Sequence, residues 1–328
     1  MMKQVKLDIV TGFLGAGKTT FINKILEGLI DKDFTVILEN EFGEISVDAM
    51  SFDSSLVDVK EINSGCICCT FQGDFQSALE GIYDEYKPDR IIIEPSGIAH
   101  MSQVIDVLNE FLSRGDRPGY INIKSVVVDI LNYQMYKENF TDFYTDQVEN
   151  ASSIVLSKAQ FADKDTIEKV VQDIRALNSQ GVILTQVWDE LSVLEILKFV
   201  ENSRDLSKDI HKELEVVKKG KNINFEQWSG IIENKVSSNK LEEFIDLLKK
   251  SHDNDNDNNN ENKNFGVVLR AKGIVKTDSG KTIKFDYIPG YCWEEELDQE
   301  IDPGRINVIG IDLNKDSMED FWRVEAKD

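Results

Sequence analysis

The sequence is poor in cysteine, proline and histidine, with four, five and three residues respectively among 328. Cys66, Cys68 and Cys69 crowd into one short run and Cys292 stands apart. That spacing excludes a secreted disulfide framework and predicts a reducing, cytoplasmic setting. No run approaches the ~18 apolar residues that a membrane-spanning helix needs. The opening MMKQVKLDIVTGFLG has no apolar core followed by a small-residue cleavage site, so no secretory leader is expected. Basic residues are in deficit too: 37 Lys and Arg against 60 Asp and Glu leave a formal charge of −23. A field of that sign repels phosphodiester backbones and anionic lipid, which excludes nucleic acid and membranes as main partners. It tolerates cations or a basic protein surface.

What is present is the material for two cores, 41% hydrophobic residues over a chain of two-domain length. Short apolar runs alternate with amphipathic stretches over the N-terminal part, the pattern of a parallel α/β sheet with helices on both faces. Strands are predicted at Val5–Val10, Thr35–Leu38, Arg90–Ile93, Ile123–Asp129, Ser153–Leu156 and Val182–Leu184. Helices are predicted at Thr19–Ile30, Phe75–Tyr86, Thr166–Leu177 and Leu191–Val200. With the glycine-rich run Gly12–Thr19, G-x-x-x-x-G-K-[ST], between its first strand and first helix, this P-loop-type domain is placed at residues 1–205, followed by a charged connector at 206–222. A smaller α+β domain is placed at 223–328, with a helix at Lys240–Lys250, strands at Phe265–Lys276, Thr282–Tyr287 and Arg305–Ile311, and a helix at Ser317–Trp322. Within it, residues 253–264 hold only Asp, Asn, Glu and Lys, and nothing there can be buried.

The motif Gly12-Phe13-Leu14-Gly15-Ala16-Gly17-Lys18-Thr19 satisfies G-x-x-x-x-G-K-[ST] after an apolar strand and before a helix. Glycines let backbone N–H groups close on an anion, and the helix start adds unpaired N–H groups and the positive end of its dipole. Lys18 is expected to reach the β- and γ-phosphates and Thr19 to ligate magnesium. In Ile93-Glu94-Pro95-Ser96-Gly97 a carboxylate ends a buried strand with glycine three residues on. Glu94 is expected to hold magnesium through water, and the Gly97 N–H to sense the γ-phosphate.

Gly65-Cys66-Ile67-Cys68-Cys69 puts three thiols in four positions. Thiolates suit zinc or copper(I), and three of them leave a tetrahedral site open for a metal that is passed on. Buried structural thiols or a redox pair remain the alternatives. Glu39, Glu41 and Glu44 follow the second strand and could serve magnesium, a thiol-bound metal, or solvent alone. Ser157-Lys158-Ala159-Gln160 stands where GTPases carry N-K-x-D. Gln160 in place of aspartate cannot make the charge-assisted pair to guanine, so base preference is expected to be weakened. Of the histidines, His100 is a possible metal contact, while His211 and His252 read as surface residues. Cys292 reads as a packing or surface thiol.

With GFLGAGKTT, ENEFGE, GCICC and E-x-x-G in order, the chain resembles the CobW-like GTPases, metal-handling factors related to the urease and hydrogenase accessory GTPases. The resemblance runs over nearly the whole length. The second unit's Leu269-Arg270-Ala271-Lys272-Gly273 and Val308-Ile309-Gly310-Ile311 look like that family's C-terminal domain. It implies that Gly15, Gly17, Lys18, Thr19 and Thr20 bind GTP and Mg2+. It also implies that Cys66, Cys68 and Cys69 bind a transferred metal, Zn2+ or Co2+, with Glu39 and Glu44 as further ligands. The expected activity is slow GTP hydrolysis that governs delivery of the metal to a client metalloprotein, with a nucleotide-dependent oligomer possible. A nucleotide-dependent assembly factor with structural cysteines is the alternative, and a small-molecule kinase a more remote one. The family's histidine-rich tract is absent, and an Asp/Asn insert stands in the chain instead.

Overall fold

The computed structural model describes residues 4–29, 34–39, 58–61, 71–114, 117–202, 225–251, 265–289, 291–297 and 303–323. The chain divides into two compact units, the described residues up to Asn202 in the first and those from Phe225 in the second. Glu41, Glu44, Cys66, Cys68 and Cys69 lie outside the described residues, as do the connector at 206–222 and the insert at 253–264.

In the first unit, seven strands pair in the order β3-β2-β4-β1-β5-β6-β7. They are β1 (Val5–Thr11), β2 (Thr35–Glu39), β3 (Asp58–Glu61), β4 (Arg90–Glu94), β5 (Gly119–Asp129), β6 (Ser153–Ser157) and β7 (Val182–Leu184). Every pairing is parallel. The helices are α1 (Lys18–Leu26), α2 (Phe71–Tyr86), α3 (Met101–Ser113), α4 (Tyr133–Asn139), α5 (Thr141–Asn150), α6 (Lys164–Leu177) and α7 (Val193–Asn202). β2, β4 and β6 are buried along their whole length, as expected of strands covered on both faces. On one side α1 and α7 close over the sheet: Phe21, Ile22, Ile25, Ile196 and Val200 pack with Val10, Ile37, Ile92, Val127 and Val155. Every residue of β5 except Asn122 pairs with β1 or β6, and a register shift between Leu7 and Asp8 passes Asn122 over.

That shift serves a buried charge cluster. Arg90, 1% exposed, ion-pairs with Asp8 and with Glu201 of α7, the latter at 2.7 Å, and Asn122 Nδ2 donates to Asp8 Oδ1 at 2.9 Å. Burial alone would lower the Arg90 pKa, but the attraction of Asp8 and the hydrogen bonds to both carboxylates outweigh it and raise it.

The second unit is an antiparallel sheet in the order β11-β10-β9-β12-β8. Its strands are β8 (Phe225–Ile232), β9 (Val267–Lys276), β10 (Thr282–Ile288), β11 (Tyr291–Leu297) and β12 (Gly304–Ile311), with α8 (Ser238–Lys250) and α9 (Lys315–Trp322). Ser237 Oγ accepts the Lys240 N–H at 3.2 Å and Asn314 Oδ1 accepts the Ser317 N–H at 3.1 Å, so each helix starts on a side-chain cap. Leu241, Phe244 and Leu248 of α8 meet Phe265, Phe285, Tyr287 and Trp322 in one core. Among the described residues no helix is long and apolar enough to cross a membrane.

All predicted strands and helices occur, with ends moved by a few residues. The first helix stops at Leu26 rather than Ile30, and the fourth begins at Val193, after a short turn at Trp188–Glu190, rather than at Leu191. β3, β8, β11 and α3–α5 are additions. β11 reads YCWEEEL, and at the sheet edge its Glu294 and Glu295 stay exposed, a composition that reads as loop in the sequence.

Cys292 in β11 is half-buried and free. Burial, reinforced by Glu294 and Asp286 against the opposing Lys249, pushes its thiol up to about 11. A variant with Cys66, Cys68 and Cys69 replaced by serine leaves it as the sole thiol. Its alkylation by iodoacetamide is expected to rise about tenfold per pH unit from pH 7 to 10. A plateau below pH 9 would contradict the burial.

Candidate functional site

At the carboxyl edge of the parallel sheet, the loop after β1 turns into α1. Gly15 and Gly17 adopt φ of 70° and 96°, backbone that side-chain-bearing residues avoid. At Gly12 the constraint is space: a Cβ would lie 2.3 Å from the Val127 carbonyl oxygen of β5. The loop is braced from α4. Phe13 packs between Tyr136 and Phe140, with centroids 4.3 and 4.8 Å away, and Tyr136 Oη donates to the Leu14 carbonyl at 3.2 Å.

Three predicted residues converge here. Thr19 Oγ1 donates to Glu94 Oε1 at 3.0 Å and lies 3.2 Å from Oε2. Lys18 Nζ lies 3.9 Å from Glu94 Oε1, and both side chains are nearly buried, at 5% and 7% exposed. Glu94 ends β4, and the parallel register sets Glu39, the last residue of β2, beside it. Glu39 is buried as well. The chain then runs from Glu94 back against the phosphate loop, where a Cβ on Gly97 would meet Leu14 N at 2.6 Å. Ser96 Oγ, between them, is buried with no hydrogen-bond partner among the described residues. Thr20 is exposed on α1 and takes no part in this cluster.

The segment after Glu94 is clamped by α5, which the sequence did not signal. Gln147 Nε2, buried, donates to the Ala99 carbonyl at 2.9 Å and the Gly97 carbonyl at 3.3 Å. Asp146 Oδ2 accepts the Ser102 N–H at 3.1 Å, at the start of α3. His100 stacks at 4.6 Å on Phe143 of the same helix. Among the described residues no group of three or more His, Cys, Asp or Glu could hold a metal.

Ser157, Lys158 and Gln160 fall where β6 ends beside β5. Ser157 is buried, donates to the Val128 carbonyl at 3.3 Å, and its Cβ is what a Cβ on Gly17 would touch, at 3.9 Å. It therefore packs against the phosphate loop. Lys158 takes a left-handed φ of 59°, and its Nζ lies 2.7 Å from Asp129 Oδ2. Asp129, at the end of β5, also accepts from Leu131 N at 3.0 Å and Asn132 Nδ2 at 2.8 Å. No local pattern marks this residue, because nothing nearby in the chain ties it to Lys158. Gln160 is exposed in the short turn that follows, next to Phe161.

The family model described as CobW/HypB/UreG, nucleotide-binding domain, matches residues 6–185, from β1 through β7. The chain belongs to that family. Among its relatives is the zinc chaperone YjiA of Escherichia coli strain K12, 31% identical over 200 residues, 58% of this chain and 60% of that protein. The zinc chaperone YeiR of the same strain is 39% identical over 103 residues, 31% of each chain. The matched stretches thus span less than two thirds of either relative. Among solved structures, the Zn(II)-bound YjiA GTPase from E. coli aligns over 98% of both chains at 19% identity with a TM-score of 0.45. Helicobacter pylori HypB in complex with nickel aligns over 64% of this chain and 92% of its own, at 17% identity and a TM-score of 0.46. In this CobW/HypB/UreG member the glycine loop, Lys18, Thr19 and Glu94 all lie within the family match.

Proposed function

We propose that this protein is a GTP-hydrolysing metallochaperone that carries zinc or cobalt on the Cys66-Ile67-Cys68-Cys69 loop and hands it to a client metalloprotein under nucleotide control. The observation that carries the reading is the convergence of Lys18 and Thr19 on Glu94 under the glycine loop. Thr19 and Glu94 offer hard oxygen donors side by side, the type that Mg2+ takes, and the bound ion would neutralise charge between the β- and γ-phosphates. Lys18 has one ammonium for two claimants. A triphosphate in the loop replaces Glu94 as its partner, and Glu94 is freed to act beside Glu39 at the ends of β4 and β2. Gly97, against Leu14, offers its N–H at the γ-phosphate end of the loop, and Gln147 fixes the carbonyls on either side of that turn.

Coupling to the thiols is supported by tether length. β3 ends at Glu61, in register with Glu39, and the chain from Glu61 to Cys66 spans at most ~18 Å. Two strand spacings, ~10 Å, separate β3 from β4. The cysteines are therefore within chain reach of the strand ends that carry Glu39 and Glu94.

The test is titration of Zn2+ and Co2+ against the protein without nucleotide, with a non-hydrolysable GTP analogue and with GDP. Affinities are expected to differ by about tenfold or more between the triphosphate and diphosphate states. Serine at Cys66, Cys68 and Cys69 is expected to abolish stoichiometric binding. Equal affinities in all states remove the coupling, and binding that survives in the serine variant favours the assembly-factor reading. In the same samples GTP is expected to be preferred over ATP by less than an N-K-x-D enzyme achieves, because Gln160 is neutral.

Gln147→Leu keeps the volume and removes both donations to the Gly97–Ala99 turn. Single-turnover hydrolysis is expected to slow by about five- to tenfold while nucleotide affinity changes little. An affinity loss as large as the rate loss would show that the side chain merely supports the loop.

A further inference from the structure

The turns that follow β5 and β6 carry apolar surface that the fold itself does not use. Asp129 and Ser157 end those strands in register, and the Ile130 N–H donates to the Ser157 carbonyl at 3.3 Å, so the two turns start side by side. Leu131 is 51% exposed in one of them. Phe161 is 71% exposed in the other, more than any other large hydrophobic side chain among the described residues. The Phe161 N–H donates to the Lys158 carbonyl at 3.0 Å, which keeps it within one tight turn of that lysine. Lys158 is held through Nζ on Asp129, so its methylenes present a fixed apolar edge. Single exposed apolar residues are ordinary in folded proteins. Two of them at adjoining strand ends, beside the Ser157 that packs on Gly17 of the phosphate loop, fit a flat ring that leaves the loop with its phosphates.

Between Lys158 and Phe161, Gln160 is exposed, and among the described residues its carboxamide takes part in no hydrogen bond. A carboxamide carries an acceptor and a donor side by side. Adenine presents a donor at N6 and an acceptor at N1, and guanine presents the reverse, an acceptor at O6 and a donor at N1. Held one way the Gln160 amide matches adenine, and turned over it matches guanine. A carboxylate at this position only accepts, and it pairs with the two donors N1–H and N2–H that guanine alone offers. We propose that the base subsite takes adenine and guanine nucleotides alike. Leu131 and Phe161 hold the purine ring by apolar contact and stacking, and Gln160 pairs with whichever 6-position edge arrives. The inference rests on the phosphate-loop reading of Gly12–Thr19 and extends its substrate from GTP to ATP. Because Gln160 reads the 6-position and N1, the 2-amino group of guanine goes unread.

The experiment is calorimetric titration of the full-length protein, in Mg2+, with GDP, ADP and IDP, the last being GDP without its 2-amino group. All three are expected to bind within about tenfold of one another. Gln160→Asp is expected to raise the preference for GDP over ADP, and for GDP over IDP, by about tenfold or more. Phe161→Ala is expected to weaken GDP and ADP together by about tenfold and to leave their ratio unchanged. A parent preference for GDP over ADP beyond tenfold, ratios that Gln160→Asp does not move, or affinities that Phe161→Ala does not move overturn the proposal. If none of the three diphosphates binds, the phosphate-loop reading itself falls. Tight binding of GDP with ADP rejected leaves that reading intact and removes only the shared subsite.

Discussion

Lys18→Ala is expected to lower GTP turnover by about 10²- to 10³-fold, the usual loss when a preorganised charge aimed at the transferring phosphoryl group is removed. The side chain is 5% exposed and already faces a carboxylate, so its ammonium is held in place before nucleotide arrives. Lys18→Arg is expected to restore little, because a planar guanidinium does not fit the space of a compact ammonium in a buried site. Binding of a fluorescent GTP analogue and single-turnover hydrolysis read the two effects separately. The control is thermal unfolding: Glu94 keeps the Thr19 hydroxyl as donor in the variant, so the fold is expected to survive. Turnover within threefold of the parent would remove Lys18 from the chemistry and with it the phosphate-loop reading.

The second large effect is on stability. Arg90→Leu strands Asp8 in the middle of β1, fully buried, with only Asn122 to satisfy it, and removes the ion pair to Glu201. Breaking a buried charge cluster by deleting one member costs about 3–5 kcal/mol. The measurement is the urea midpoint of the full chain, followed by tryptophan emission. Adding Asp8→Asn to Arg90→Leu is expected to recover part of the loss, since the stranded carboxylate is then neutral. A loss under about 1 kcal/mol would mean that water reaches the cluster.

These two predictions differ in how they could have been found. Lys18 is readable because the glycine loop is a contiguous stretch whose residue types follow from closing backbone around an anion, and strand and helix flank it in the chain. Glu94 is readable because a run of isoleucines ends on it. The Arg90 cluster, by contrast, joins β1, β4, β5 and α7, and no local pattern announces it. Gln147 and Tyr136 are in the same position. Each sits in a helix at an ordinary polar or aromatic position, and its role exists only once α4 lies against the phosphate loop and α5 against the turn that follows Glu94. Asp129 holds Lys158 across adjacent strands, and the pairing register alone brings them together. Among elements, α3 with Met101, Val104, Leu108 and Phe111 buried was missed although its spacing is helical. β8 and β11 were missed because edge strands carry exposed polar residues that blur alternation.

The all-parallel pairing of the first sheet also sets the order in which the molecule can assemble. Each of its neighbours must be closed through a crossover, so β1 meets β4 and β5 only after long stretches of intervening chain are brought in. In the second unit β9, β10 and β11 pair in sequence order as hairpins, contacts that form between near neighbours. Upon refolding from denaturant, the hairpin-built unit therefore gains its structure first and the nucleotide-binding unit is the slow step. While it waits, β2 and β4 expose continuous runs of apolar side chains, and a ligand that binds only the finished loop lowers by mass action the population that reopens to this exposed state.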